Sequence, residues 1–179
     1  MVDGNGNNVS WPYTYKKLDP DVAAKRAYEN CKAKKSCSYG TAAGLIGYLA
    51  EEVGHPFNLI PPEVIQGFKG GVPGHSSICG AIVGAALAIG LVTDVKTQDK
   101  LLNELMVWYK NFEFPKFVPE GKNEMVTSIS NSELCLHSVG NWCKASGFEP
   151  LSPEMHERCA RLCADVARFV VERLNETLT

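Results

Sequence analysis

Seven cysteines are the residues through which this chain of 179 residues can do chemistry. Thiolates bind soft metals and iron–sulfur clusters, and pairs of thiols cycle with disulfides. The sequence contains neither the C-x-x-C pair of a zinc finger nor the C-x-x-C-H motif that attaches a c-type haem. A shared site therefore requires a fold that brings cysteines together from distant segments. The seven are Cys31, Cys37, Cys79, Cys135, Cys143, Cys159 and Cys163.

Four of these cysteines lie near predicted helix starts. At a helix start, the free backbone N–H groups and the positive end of the helix dipole favour a thiolate or an anionic cluster. We therefore expect the four to converge at one end of a helix bundle and to form a metal or iron–sulfur site, with core packing as the alternative for each. They are Cys37, Cys79, Cys135 and Cys159.

The contribution of four other residues to such a site stays open. Cys163 lies one turn after Cys159 on the same stripe, which favours core packing, and Cys31 lies near a basic helix end. His75 and His137 each stand within one turn of a candidate thiol, and either could complete a mixed cysteine–histidine site. A capping or solvent-facing role is the alternative for both histidines.

Helical periodicity dominates the sequence. No segment shows the alternation of a strand, and capping residues, prolines and glycines separate the periodic stretches. The predicted fold class is therefore all-α, a bundle of four main helices with short additional helices and a long loop. Helices are expected over residues 20–34, 37–53, 97–112, 132–145 and 153–178, with another from Ser76 or Ser77 to Leu91, a short one from Pro61, and the loop at 113–131.

Two sets of glycines predict close helix packing. Gly40, Gly44 and Gly47 lie along one stripe of the second helix, and Gly80 and Gly84 form a G-x-x-x-G pair in the apolar helix that follows. Each glycine weakens a helix by about 1 kcal/mol relative to alanine. We expect the close approach of another backbone to offset that cost.

The last helix is predicted to be amphipathic, with Cys159 and Cys163 on its inward stripe. Its charged residues are expected to face water on the opposite side. This outer set comprises Arg158, Arg161, Asp165, Arg168, Glu172 and Arg173.

Composition and charge exclude several classes of protein. Lys and Arg number 18 against 20 Asp and Glu, and the resulting net charge of −2 argues against a general nucleic-acid binder. An apolar fraction of 45% argues against disorder. The longest strongly apolar run, residues 78–92, is shorter than the roughly 20 residues of a membrane-spanning helix. We expect a mobile polar tail at residues 1–10 and a single helical iron–sulfur domain at 11–179.

The start of the chain leaves its compartment open. Residues 1–10 have neither the basic start nor the apolar stretch of a signal peptide. The two interpretations are a cytoplasmic protein and an exported protein whose signal has been removed.

Several motifs follow one another in a particular order. Cys37 precedes a helix rich in small residues, a glycine pair follows at residues 70–71, and the segment CGAIVG at residues 79–84 opens the apolar helix. In this arrangement the chain resembles the C_GCAxxG_C_C group of redox-active proteins. It resembles the split-Soret cytochromes c of anaerobic bacteria more closely, over about residues 11–171. The matching segments are WPYTYKKLDP, CSYG, CGAIVGAA, NELMVWY, NWC and RCARL.

The resemblance implies a helical, homodimeric electron-transfer protein, rather than an enzyme, with an iron–sulfur cluster near one end of the bundle. Its ligands would come from five cysteines, and whether Cys135 or Cys143 is the third ligand stays open, as does the choice between a 2Fe–2S and a 4Fe–4S cluster. The split-Soret cytochromes also carry c-type haems, but this sequence has no C-x-x-C-H motif, so no haem is expected. The ligand set is Cys37, Cys79, Cys135, Cys143 and Cys159.

Two other functions stay open beside electron transfer or redox sensing. The same cysteines could close a structural zinc site, and a pair such as Cys159 and Cys163 could serve a dithiol–disulfide oxidoreductase. An electron-transfer protein also needs a partner protein. A basic patch could dock an acidic partner, with a solvated face as the alternative. The patch comprises Lys25, Arg26, Lys32, Lys34 and Lys35.

Overall fold

The computed structural model describes residues 10–179, so the tail predicted at residues 1–10 lies almost wholly outside the described part. The predicted all-α fold is confirmed. The α-helices are α1 (Pro20–Lys34), α2 (Cys37–Glu52), α3 (Gly80–Val92), α4 (Val95–Asn111), α5 (Cys135–Ser146) and α6 (Pro153–Leu178). Short 3-10 helices at Phe57–Leu59 and Pro62–Phe68 connect α2 to α3, and strands β1 (Glu113–Phe114) and β2 (Ser128–Ile129) form an antiparallel pair within the predicted long loop.

Side-chain caps fix where several helices begin. The Asp19 carboxylate accepts the N–H groups of Asp21 and Val22 ahead of α1, and Pro20 occupies the first position, where its missing N–H costs nothing. The Ser152 hydroxyl accepts the N–H of Met155 at the start of α6 in the same way. These local contacts explain why the boundaries of α1 and α6 agree with the sequence-based prediction.

The main core lies among α1, α2, α3 and α6, where α2 and α6 pack against each other and each also packs against α1 and α3. Small and apolar residues cover all sides of α3, and the helix is accordingly buried against α2 and α6. By contrast, α4 buries the stripe that contains Leu101, Leu105 and Tyr109. None of the helices within residues 10–179 has the length and apolar character required to cross a bilayer.

The glycine stripe of α2 brings α1 and α2 into close contact. A methyl group at Gly40 would lie 2.4 Å from the Cβ of Cys31, and one at Gly44 would lie 2.7 Å from the backbone nitrogen of Ala27. The predicted close approach is therefore confirmed at these two positions. It is wrong at Gly47, where no heavy atom would lie within 4 Å of the added methyl group.

The start of α3 lies later than predicted. The helix begins at Gly80 with Cys79 as its N-cap residue, whereas the sequence indicated a start at Ser76 or Ser77. The intervening segment is extended because it pairs with the chain ahead of α5, where the Cys79 N–H donates to the Glu133 carbonyl at 2.9 Å. This pairing is long-range, so local capping signals could not reveal it.

The predicted outward face of α6 is wrong at three charged residues. Arg158, Arg161 and Asp165 are only 1%, 3% and 4% exposed. The segment after β1 covers this side of α6, where Arg161 donates to the Asn123 carbonyl at 2.7 Å and the Lys116 N–H donates to Asp165 at 2.8 Å. The helix is therefore enclosed on two sides, and its polar stripe lies inside the molecule.

Candidate metal centre

The backbone pairing between the segments ahead of α3 and α5 places two cysteines side by side. Ile78 and Leu134 form an isolated antiparallel bridge. The Cys135 N–H donates to the Ser77 carbonyl at 2.6 Å, which complements the bond from Cys79. Because Cys79 is the N-cap of α3 and Cys135 is the first residue of α5, both thiols lie at helix starts. Backbone geometry therefore holds Cys79 and Cys135 together.

Cys37 reaches the same place from the start of α2, where Ser36 is the N-cap residue. Its thiol hydrogen-bonds to that of Cys79. A methyl group at residue 80 would lie 2.6 Å from the Cys37 Sγ and 2.8 Å from the Phe68 carbonyl oxygen. Gly80 therefore leaves the space that the Cys37 sulfur occupies.

Cys159 joins the group from the second turn of α6. Its Sγ donates to the Met155 Sδ at 3.5 Å, and the Nη1 of Arg158 lies 3.9 Å from the same sulfur. Burial raises the pKa of Cys159 to about 11, and the neighbouring Cys79 adds to that effect while Arg158 opposes it. Burial likewise raises the pKa of Cys135 to about 12, with further contributions from Cys79 and Cys159.

The pKa values of Cys37 and Cys79 are shifted in opposite directions. The hydrogen bond from Cys37, together with donors from Tyr109 and the Ala81 N–H, lowers the pKa of Cys79 to about 6 despite its burial. The same hydrogen bond and burial raise the pKa of Cys37 well above its usual range. Cys79 is therefore the thiolate of the pair at neutral pH.

A buried polar network lies next to these thiols. The Arg158 Nη2 donates to the Ser138 Oγ at 3.0 Å, and the Ser138 Oγ lies 3.0 Å from the Tyr109 hydroxyl, which also bonds to Cys79. Burial alone would lower the pKa of Arg158, but Cys159, Tyr109 and Cys79 hold it above its usual value. The guanidinium is therefore a permanent positive charge beside the thiols.

The sequence does not reveal this network as part of the site. The charge of Arg158 predicts a solvent-facing position on α6. Its spacing offered a contrary signal, since Met155 and Leu162 stand three residues before and four residues after it on one helical stripe. Tyr109 and Ser138 carry no such signal, because α4 and α5 bring them together only in the folded chain.

The remaining candidate cysteines and histidines are not among the four thiols at the helix starts, and each lies in a different environment. Cys143 stands eight residues after Cys135 on α5, about 12 Å along the helix axis. Cys31 and Cys163 are buried, and the Cys163 Sγ donates to the Cys37 carbonyl at 3.5 Å, so Cys163 lies beside the four thiols. His75 and His137 are exposed.

The donor set suits a soft, redox-active metal. The sulfurs of Cys37, Cys135 and Cys159 stand around that of Cys79, three of the four lie near helix N-termini, and a buried cation stands beside them. Within residues 10–179, no group of three or more His, Cys, Asp or Glu side chains is arranged so that it could hold a metal ion.

The basic patch on α1 is partly neutralised by its neighbours. Arg26 forms an ion pair with Glu51, and Lys32 forms one with Glu157 at 2.5 Å. Lys34 lies over the Tyr39 ring, 5.9 Å from its centroid. The structure therefore favours a solvated, locally paired surface over the strongly basic docking site that the sequence permitted.

The chain belongs to the protein family described as "Putative redox-active protein (C_GCAxxG_C_C)", whose model matches residues 39–173. Membership in this family confirms the resemblance that the motifs indicated. It also supports the broad class of redox or electron-transfer protein.

Two individual comparisons extend the family assignment. Split-Soret cytochrome c of Desulfovibrio desulfuricans (strain ATCC 27774 / DSM 6949 / MB) is 36% identical over 182 residues, which cover 97% of this chain but only 65% of that protein. The solved structure described as "A novel iron centre in the split-Soret cytochrome c from Desulfovibrio desulfuricans ATCC 27774" aligns with a TM-score of 0.88 and 34% identity. That alignment covers 93% of this chain and 72% of the other.

These comparisons correct the cofactor prediction. An iron–sulfur cluster without haem was expected at the cysteines, of either the 2Fe–2S or the 4Fe–4S type. The related protein is named a cytochrome c, and its structure is described by a novel iron centre, so the comparison points to a haem or an iron centre instead. The prediction was wrong because thiol spacing indicates soft-metal ligation without specifying which iron group is bound.

The family's descriptive motif also differs from this chain at one place. The motif reads Gly-Cys-Ala-x-x-Gly, whereas residues 79–84 read Cys-Gly-Ala-Ile-Val-Gly. The thiol therefore stands at the N-cap of α3 rather than at its first helical residue. The exchange leaves Gly80 beneath the Cys37 sulfur, where a larger residue would collide.

Proposed function

We propose that this chain is an electron-transfer protein whose redox group is an iron centre held by cysteine thiolates. The observation that carries the proposal is the convergence of cysteines from α2, α3, α5 and α6: the segments before α3 and α5 pair through their backbones, the Cys37 sulfur lies against Gly80, and α6 contacts the Cys37 carbonyl through Cys163. The iron centre described for the split-Soret cytochrome c adds support, because that protein has the same fold over nearly all of this chain. The proposed ligands are Cys37, Cys79, Cys135 and Cys159.

The chain's own residues give each ligand a distinct part in this proposal. The pKa of Cys79 is lowered to about 6, so of the four thiols it would release its proton to iron most readily. Cys37, Cys135 and Cys159 have raised pKa values and would release protons when they bind. When bound, iron supplies one-electron chemistry, and the surrounding apolar helices limit access of water to it.

The chemistry of the gathered side chains supports an iron centre, because four thiols match the preference of iron for sulfur ligands.

The test is to load the metal-free full chain with ferrous iron under anaerobic conditions. We expect bound iron after gel filtration, a visible spectrum that dithionite bleaches reversibly, and a sulfide assay that reports whether inorganic sulfide accompanies the iron. Serine substitutions at the four proposed ligands should each reduce the iron content. Cys143→Ser is the matched control and should retain it.

Other outcomes would contradict the proposal. A colourless protein that binds zinc tightly and iron weakly would indicate a structural zinc site. A metal-free protein in which oxidant removes two thiols would indicate dithiol chemistry, for which Cys31 and Cys163 are buried neighbours. Loss of iron in Cys143→Ser together with retention in Cys135→Ser would overturn the ligand set.

We also propose that two copies of the chain associate. Large apolar side chains are exposed at Leu59, Val64, Phe68 and Val72, all within the segment between α2 and α3. Exposed apolar residues that gather in one segment are typical of an interface. Light scattering should report a dimer for the wild type and a monomer for Val64→Glu/Phe68→Glu. Val95→Glu, at another exposed valine, is the control, and a monomeric wild type would contradict the proposal.

A further inference from the structure

Arg158 carries a buried positive charge that forms no ion pair with a carboxylate in the described structure. Its side chain is almost fully buried, and its Nε has no hydrogen-bond partner. Its remaining contacts are the neutral Ser138 hydroxyl and the Cys159 sulfur. Among the ion pairs formed by residues 10–179, none includes Arg158.

Other acidic residues nearby are already engaged. Asp165, two turns further along the same helix, accepts the backbone N–H of Lys116; Arg168 and, more weakly, Arg158 act on its pKa through their charges, but Asp165 forms no ion pair with Arg158. Arg161, one turn from Arg158, provides the comparison. It is equally buried, but its Nε donates to Glu157 at 3.0 Å and its Nη1 to a backbone carbonyl. The same helix thus contains one buried arginine with a carboxylate partner and one without.

A buried charge without a counter-charge is strongly unfavourable, so buried cations in proteins are paired or neutralised. The groups that surround Arg158 and can become negative are thiols, chiefly Cys159 and Cys79. Iron binding converts the thiols of the site to thiolates and so supplies negative charge next to the guanidinium.

We infer that Arg158 is the fixed counter-charge of the proposed iron centre, held in place through Ser138 and Tyr109. This inference rests on the proposed function. Arg158 acts as a positioning residue, because it contacts a ligand sulfur rather than the iron. Its charge favours the assembled thiolate centre over the metal-free site. It also favours the reduced state, since reduction adds negative charge beside a cation.

Three variants of the full-length protein test this role. Arg158→Gln removes the charge but keeps a polar group that can reach Ser138. Arg158→Lys keeps the charge in a different shape and is the rescue variant. Arg161→Gln is the matched control, because it removes a buried arginine whose partner is Glu157 rather than a thiol.

The readouts are iron affinity by competition with a chelator, the rise in melting temperature on iron binding, and the midpoint potential. We expect Arg158→Gln to weaken iron binding on the order of 10- to 100-fold. It should also reduce the iron-dependent rise in melting temperature and lower the midpoint potential. Arg158→Lys should restore most of the affinity. Arg161→Gln should lower the melting temperature with and without iron while the affinity and potential stay close to wild type.

Two results would overturn the inference in distinguishable ways. If Arg158→Gln binds iron as tightly as wild type and at the same potential, the counter-charge role is wrong while the proposed iron centre stands. If the wild-type chain itself binds no iron, the proposed function and this role both fail. If Arg158→Gln does not fold, Arg158→Lys decides. An iron affinity and a midpoint potential of Arg158→Lys close to those of Arg161→Gln support the role. A loss of iron affinity in Arg158→Lys as large as that in a cysteine-ligand variant contradicts it.

Discussion

Cys79 combines three features that stabilise a thiolate. It stands at the N-terminus of α3, it accepts hydrogen bonds from Cys37 and Tyr109, and Arg158 lies nearby. Burial acts in the opposite direction, but the donors outweigh it, and the pKa falls to about 6. Within the described site, Cys79 is therefore the thiol best suited to bind a metal cation at neutral pH.

The ionisation of Cys79 can be measured in the metal-free protein. We expect one thiol to titrate near pH 6 by thiolate absorbance, while the other thiols of the site titrate well above it. Cys79→Ser should abolish this transition. Tyr109→Phe should move it to higher pH, because one donor to the thiolate is lost. An unchanged transition in Cys79→Ser would assign it to another residue, and Cys143→Ser is the neutral control.

Gly80 is a second residue on which the site depends. In Gly80→Ala the new methyl group would lie 2.6 Å from the Cys37 Sγ, so that sulfur must move away from Cys79. We expect iron binding to weaken on the order of tenfold or more. Gly90→Ala in the same helix is the control, because its methyl group would meet only the flexible end of Gln98 at 3.4 Å. Equal iron affinity in the two variants would contradict this steric argument.

At the scale of elements, the site depends on how helix starts are brought together. The bridge between Ile78 and Leu134 joins the starts of α3 and α5, and the close packing of α1 on α2 supports the helix that carries Cys37. Because backbones determine these contacts, small residues at the crossing points control the distance between helices.

A pair of substitutions in α2 measures the importance of that packing. Gly44→Ala should destabilise the protein by about 1–3 kcal/mol, because its methyl group would lie 2.7 Å from the Ala27 nitrogen and α1 must shift. Gly47→Ala should instead stabilise it by up to about 1 kcal/mol, since open space surrounds the new methyl group and alanine favours the helix. Denaturant unfolding measures both, and a free energy of unfolding that changes equally in the two variants would refute the packing argument.

At the scale of the whole molecule, α6 is the helix around which the fold is organised. It packs against α1, α2 and α3 on one side and is covered by the segment after β1 on another. Its buried polar residues therefore serve two purposes. Arg158 faces the thiols, whereas Asp165 holds the covering segment through the backbone N–H of Lys116.

Asp165 should make stability depend on pH. Burial raises its pKa to about 6 from the usual 3.8, although the backbone N–H groups of Lys116 and Phe117 oppose the shift. Between these two pH values the folded state holds a proton that the unfolded state has released. Stability should therefore fall as pH rises through this window, by on the order of 3 kcal/mol from this residue.

Asp165→Asn tests this dependence, since the amide oxygen can still accept the Lys116 N–H but does not titrate. Denaturant unfolding between pH 4 and 6 should show a smaller loss of stability in this variant than in the wild type. Glu172→Gln, at an exposed carboxylate of the same helix, should follow the wild type. A wild-type curve that coincides with that of Asp165→Asn across the window would rule out the contribution of Asp165.

Much of the fold could be predicted from local sequence signals. Capping residues and helical periodicity located α1, α2 and α6 almost to the residue, and the glycine spacing indicated the α1–α2 contact at Gly40 and Gly44. The start of α3 was placed too early because its delay results from pairing with a segment more than 50 residues away. Local signals contain no information about such a partner.

The sequence by itself determined the all-helical class, the family and the set of cysteines from which a site could be drawn, because helix periodicity, capping and motif order are local properties of the chain. The tertiary structure alone decided that Cys37, Cys79, Cys135 and Cys159 stand near one another, that Cys143 stands apart, and that the charge of Arg158 is inside. The physical reason is that burial and proximity depend on which surfaces pack against each other, and for α6 those surfaces come from helices in the first two thirds of the sequence and from β1.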